Sequence, residues 1–210
     1  MKIAVIGAGN VGGALGKLWS AKAHEVTFGV RNPQDAKVQE VIKTTGGKAK
    51  AASVKEAAAF SEVVVLATPW PATEEAVKAA GDLSGKIVID CTNPLKPDLS
   101  GLAIGNDHSA GEEVARWAKG AKVVKAFNTI GAASFENPRF GSESASMLIC
   151  GDHADANDAV AKLAAELGFD AVDAGPLFAA RWLEPLAMLW IYMALKKGLG
   201  NSHAFKLLRR

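Results

Sequence analysis

Residues 7–12 read Gly7-Ala8-Gly9-Asn10-Val11-Gly12, between a short apolar run and a segment with helical periodicity. Glycines at this spacing suit one task. Gly7 permits a tight turn, Gly9 lets backbone approach an anionic group, and Gly12 lets the following helix pack on the preceding strand. The first amides of that helix have no partner within it, so they are ready donors to a phosphate. A glycine turn without a ligand is the plainer reading. Its position in the first strand–turn–helix unit of the chain favours a dinucleotide.

A second residue refines this. Chains that bind NAD usually carry an Asp or Glu at the tip of the second strand, about 20 residues on, for the ribose hydroxyls. Here the strand EVTFG runs into Val30, Arg31 and Asn32, with no acid at the tip. A guanidinium suits a 2′-phosphate through charge-assisted hydrogen bonds, and Asn32 adds a donor. The alternative is a solvated surface arginine. Loop and arginine together predict NADP(H).

Most dehydrogenases also need a side chain that moves a proton. Of the four histidines, His24 precedes a strand, His153 lies at a helix start and His203 is near the end of the chain; only His108 falls near a carboxyl-end loop. His108 reads equally well as a surface residue before the helix that begins around Gly111. No acid–base constellation stands out. That mildly favours hydride transfer between two cofactor rings, where the protein mainly orients them. No spacing predicts a metal site, and Cys91 and Cys150 read as reduced, packed thiols.

The elements that must position these residues alternate along the chain. Strands are expected at 2–7, 25–29, 63–68, 86–91 and 121–127, with two more after residue 144. Pro33 suits the first turn of a helix running toward Gly46, and an alanine-rich helix is expected over about 154–167. Strand–helix alternation with unbroken apolar strands predicts an α/β, Rossmann-type doubly wound, mostly parallel sheet with a short C-terminal α/β extension. We expect one compact unit over 1–210, with a dinucleotide-binding core over 1–130 and an extension over 131–210. That extension completes the acceptor site. The formal net charge of +2 argues against nucleic acid as a partner. No export signal is read at the N-terminus, so a cytoplasmic protein is expected. The apolar segment LEPLAMLWIYMAL (183–195) is shorter than the about 20 residues of a membrane span, which makes a buried helix or a homodimer face the better reading.

With these residues in view, the chain resembles the NADPH:F420 oxidoreductases, the deazaflavin-dependent NADP reductases, and the related nucleotide domain of membrane ferric reductases. The likeness rests on GNVG, GVRNP, ATPW (67–70), KAFNTIG (125–131), CGDH (150–153) and DAGPL (173–177). The resemblance implies that the backbone of Gly9, Asn10 and Val11 meets the pyrophosphate and that Arg31 holds the 2′-phosphate. It implies that Thr68, Pro69 and Trp70 border the adenylate half. Ala132 would offer its backbone to the nicotinamide carboxamide. Val30 stands where the family often has serine, and Asn128 stands where archaeal members have histidine.

The expected acceptor is F420 or a flavin, seated between NTIG and DAGPL. Asn128 and Thr129 would orient the rings, and Ile130, Pro176, Leu177 and Arg181 would complete the acceptor pocket. Bland readings stand beside these. Asn128 suits a helix N-cap, Gly175–Pro176 a strand-to-helix turn, and Arg181 an ion pair with Glu184. A flavin–iron or quinone acceptor is the second enzyme reading. An NADP sensor without turnover is the third, and it would lack a second cleft beside the nicotinamide.

Overall fold

A computed structural model describes all 210 residues. Short apolar runs supply the strands β1 (Lys2–Ile6), β2 (Glu25–Gly29), β3 (Lys50–Ala52), β4 (Val63–Leu66), β5 (Ile87–Asp90) and β6 (Lys122–Lys125). They pair in parallel in the spatial order β3-β2-β1-β4-β5-β6. This is the Rossmann order, and the reversal of strand order between β1 and β4, themselves parallel, opens a crevice beyond their carboxyl ends. Every residue of β4 is buried, as a strand covered on both faces requires.

Helices cover each face. On one side α1 (Asn10–Ala21) packs Leu15 and Trp19 into a core shared with Val160 and Leu163 of α6 (Ala154–Glu166). On the other side lie α3 (Val54–Phe60), α4 (Thr73–Ala80) and α5 (Ala110–Trp117), contributing Ala57, Val77 and Val114. Local chemistry sets their starts. Ser53 and Glu56 form a reciprocal capping box on α3, and Ser109 accepts from the Glu112 amide on α5. The helix after β2, α2 (Ala36–Thr44), is capped by Asp35. Pro33 therefore lies in the turn before the cap and not in the first helical turn.

The sheet continues past β6 through β9 (Ser146–Gly151) and β10 (Asp170–Asp173), preceded by a small hairpin, β7 (Arg139–Phe140) and β8 (Glu143–Ser144). β9 runs antiparallel to β6, with Lys125 opposite Cys150 and Val124 opposite Gly151, and β10 follows β9 in parallel. Their carboxyl ends thus point toward the amino ends of the other strands. The last helix, α7 (Ala180–Leu195), contains Pro185 and returns across the sheet to the carboxyl ends. No helix is long and apolar enough to cross a membrane.

Candidate cofactor and acceptor site

The glycine loop closes the turn from β1 into α1, and its three glycines have different reasons to be there. Gly7 has a positive φ of 101°, and a Cβ there would lie 2.7 Å from the Ala67 carbonyl. A Cβ on Gly12 would meet the Gly7 carbonyl at 2.1 Å. Gly9 is different: a Cβ there would meet no atom within 4 Å. The fold itself does not demand glycine at position 9, so the bare backbone keeps space open in front of the first α1 amides. That space fits a pyrophosphate.

Two cavities flank this loop. One, of about 520 Å³, is lined by Gly7, Gly9, Arg31, Asn32, Thr68 and Pro69, with Asp35 and Glu75 also on its wall. Arg31 is exposed there and belongs to none of the chain's ion pairs. Asp35 is engaged in capping, accepting from the Lys37 amide, and Asn32 Oδ1 accepts from the Gln34 amide. The Asn32 amide nitrogen remains a donor. Trp70 stacks on Trp117 at 5.3 Å, bracing the Thr68–Pro69 turn from behind instead of lining the cavity.

The other cavity, of about 550 Å³, begins at Asn10 and Val11 and extends to Asn128, Ile130, Gly131 and Ala132. Its far wall is not the one expected. Pro176 and Leu177 do not line it, because the loop after β10 is turned toward the opposite end of the sheet. Leu177 is packed into the core beside Val114 and Val123. Trp190, Ile191 and Asn201 close the cavity instead. Thr129 is buried and does not line it. Arg181 is also elsewhere, held by Glu112 through contacts of 2.6 to 3.2 Å, and not by Glu184.

Asn128 is presented by a strained turn. The residue before it, Phe127, has a φ of 60°, which costs a bulky residue of order 1–3 kcal/mol. Phe127 is held there by edge-on rings of Trp19, Phe135 and Phe169. Asn128 Nδ2 donates to Asn93 Oδ1 at 3.1 Å and to the Leu183 carbonyl at 3.4 Å. Its Oδ1 is buried without a partner. It is not a helix cap, since the single turn that follows, Ala132–Ser134, is capped by Gly131. An orphaned buried acceptor beside a cavity fits an N–H group of a bound ring.

No His, Lys, Arg, Tyr, Asp or Glu lines this second cavity. The Cys91 thiol, pushed upward by burial and by the neighbouring Asp90 charge, is the one titratable group on its wall. His108 is remote, bonded to Glu113 in the first turn of α5. Asn93, Cys91, Trp190 and Asn201 line the cavity without a motif that marks them in the sequence. The first two lie just past β5, where the rule that ligands bind beyond strand carboxyl ends points.

Comparisons with known proteins place the chain in a family. A family profile described as NADP oxidoreductase coenzyme F420-dependent matches residues 2–94. A protein from Arthrobacter sp. FB24, named as a candidate F420-dependent NADP-reductase, has a solved structure that is 34% identical with a TM-score of 0.91, over 100% of both chains. The chain belongs to the F420-dependent NADP oxidoreductase family. A hypothetical protein from Sinorhizobium meliloti, SMa0349, is 35% identical with a TM-score of 0.77, over 86% of this chain and 87% of that one. The metalloreductase STEAP3 of Rattus norvegicus is 30% identical over 90% of this chain, which spans 37% of that protein's length. Membership makes the chain one of the NADP-dependent oxidoreductases.

Proposed function

We propose that the protein transfers hydride from NADPH to a flat redox ring, a deazaflavin such as F420 or a flavin. The observation that carries this is the pair of cavities on either side of the glycine loop, one reaching Gly9 and the other Asn10, the second lined by no titratable side chain except the buried Cys91 thiol. In this reading Arg31 and Asn32 hold the 2′-phosphate, and the Gly9, Asn10 and Val11 amides hold the pyrophosphate. Ala132 receives the carboxamide. Bound NADPH supplies a hydride from its dihydronicotinamide ring.

The chain's own part is orientation. Ile130 and Trp190 give the ring apolar walls, and Asn128 Oδ1 accepts from a ring N–H. An acceptor ring would receive the hydrogen together with its electron pair and delocalise the charge, and the separate proton that neutralises the reduced ring would come from water, since no acid of the cavity is placed to give it. The second cavity supports turnover over sensing, because a sensor needs no room beside the nicotinamide. Likeness to a metalloreductase supports a flavin–iron route as the second reading.

We also propose a cytoplasmic homodimer. Trp182 and Leu189 on α7 are 62% and 48% exposed, with Phe178, Tyr192 and Leu195 beside them, an apolar stripe suited to a second copy. The test of function is NADPH oxidation against F420, FMN, FAD, ferric chelates and quinones. Turnover with a deazaflavin or flavin alone supports the reading; turnover only with the others, without any ring cofactor, rejects it.

A further inference from the structure

Behind the second cavity lies a cluster of three charged side chains, each almost wholly removed from water. Lys125 Nζ sits 2.9 Å from Asp90 Oδ2 and 2.8 Å from Glu184 Oε1, with all three side chains between 0% and 1% exposed. Every other partner of the two carboxylates is a donor. Asp90 Oδ1 accepts from the Thr92 amide and hydroxyl, and Glu184 accepts from the Ala110 and Gly111 amides. Two carboxylates facing one ammonium leave the cluster with one negative charge more than its lysine cancels.

Its position ties it to the site. Asp90 precedes Cys91, Lys125 donates to the Thr92 carbonyl beside Asn93 at 2.6 Å, and Glu184 follows Leu183, whose carbonyl meets Asn128. The charges thus stand one or two residues behind Cys91, Asn93 and Asn128 on the cavity wall. Burial keeps solvent from screening them. The first amides of α5 offset part of the excess, and the nearby Arg181–Glu112 pair cancels itself.

Resting on the reading that the nicotinamide occupies this cavity, we infer that the Lys125–Asp90–Glu184 cluster discriminates between the cofactor's redox states, holding NADP+ more tightly than NADPH. The oxidised ring is a cation and the reduced ring is neutral. An uncompensated negative charge at close range attracts only the former. Such a bias favours hydride leaving NADPH.

The test is titration calorimetry of the wild-type protein and of Glu184→Gln with NADPH and with NADP+. The substitution keeps the shape and removes the excess charge, at the cost of turning an NH2 toward the Ala110 amide, a loss that falls on both cofactor forms alike. It should weaken NADP+ by about tenfold or more relative to NADPH, the scale of one unit charge roughly 10 Å away at an effective dielectric constant of about 20. A purely structural role would weaken both forms equally, and that result overturns the inference, as would an unchanged ratio. If Glu184→Gln does not fold by circular dichroism, Asp90→Asn carries the same change of charge and must give the same shift in ratio. Wild-type protein that binds neither form overturns the NADP reading itself, whereas binding of both with an unaltered ratio overturns only the cluster's role.

Discussion

Asn128 and Asn93 are joined by two hydrogen bonds across neighbouring strand ends: Asn128 Nδ2 to Asn93 Oδ1 at 3.1 Å, and Asn93 Nδ2 to the Asn128 carbonyl at 3.0 Å. Each amide fixes the other's rotamer, and the arrangement leaves Asn128 Oδ1 as the one acceptor without a partner. A ligand N–H can satisfy it without any proton changing hands.

Asn93→Ala should therefore act through Asn128. It removes two hydrogen bonds and frees the Asn128 side chain to rotate, while Asn93 itself supplies no acid or base. Expected is a loss of about 1–3 kcal/mol in transition-state stabilisation, seen in kcat, with a pH profile unchanged from wild type. A changed pH profile would count against an orienting role.

The glycine loop predicts opposite outcomes for two substitutions. A Cβ at position 9 meets no protein atom within 4 Å, so Gly9→Val should fold normally and lose NADPH binding. Gly12→Ala drives its Cβ to within 2.1 Å of the Gly7 carbonyl, so it should lower the melting temperature as well. Normal NADPH affinity in folded Gly9→Val, measured by calorimetry, would remove the loop from the phosphate site.

Arg31→Ala addresses the 2′-phosphate. Losing a charged hydrogen bond should cost NADP binding about 1.5–3 kcal/mol and leave NAD binding almost unaltered. Equal losses for the two dinucleotides would place the 2′-phosphate elsewhere.

Stability should fall on the alkaline side. Burial pushes the Cys91 and Cys150 thiols above the ordinary value of 9.0. Burial alone would lower the Lys125 ammonium, but the charges of Asp90 and Glu184 outweigh it and raise it to about 12. All three folded-state values lie above the unfolded ones, so the stability they contribute is complete below pH 9.0 and is lost as pH rises through the folded values. Denaturant melts should show a decline beginning near the thiol range. In Cys91→Ser/Cys150→Ser that onset should move up toward the lysine's ordinary 10.5. An onset that ignores the double substitution would show the thiols are not its source.

Much of this was legible in the chain, and the exceptions have physical reasons. Unbroken apolar strands and the Gly7–Gly12 spacing pointed to the parallel Rossmann sheet, because both report local requirements of backbone and burial. The antiparallel direction of β9 left no such mark. Strand SMLICG looks the same in either direction, and its reversal is what carries Pro176 and Leu177 away from the slot. Arg181 and Glu184 are close in sequence, which made an ion pair between them plausible. Tertiary contacts won instead: Glu184 is taken by Lys125 and the α5 amides, and Arg181 by Glu112. Trp190 read as core or interface, and it does pack on Gly131 and stack on His203, yet it also forms a wall of the cavity.

The central claim is hydride transfer between two rings with no protein acid or base. It is tested most directly by single-turnover mixing of the protein with C4-deuterated NADPH and the oxidised deazaflavin or flavin, over a range of pH. The account predicts a primary isotope effect on the step and a rate whose pH dependence follows the acceptor's own ionisation. A bell-shaped profile that the acceptor cannot explain, or ring acceptors left inert while a carbonyl or imine is reduced, would contradict it.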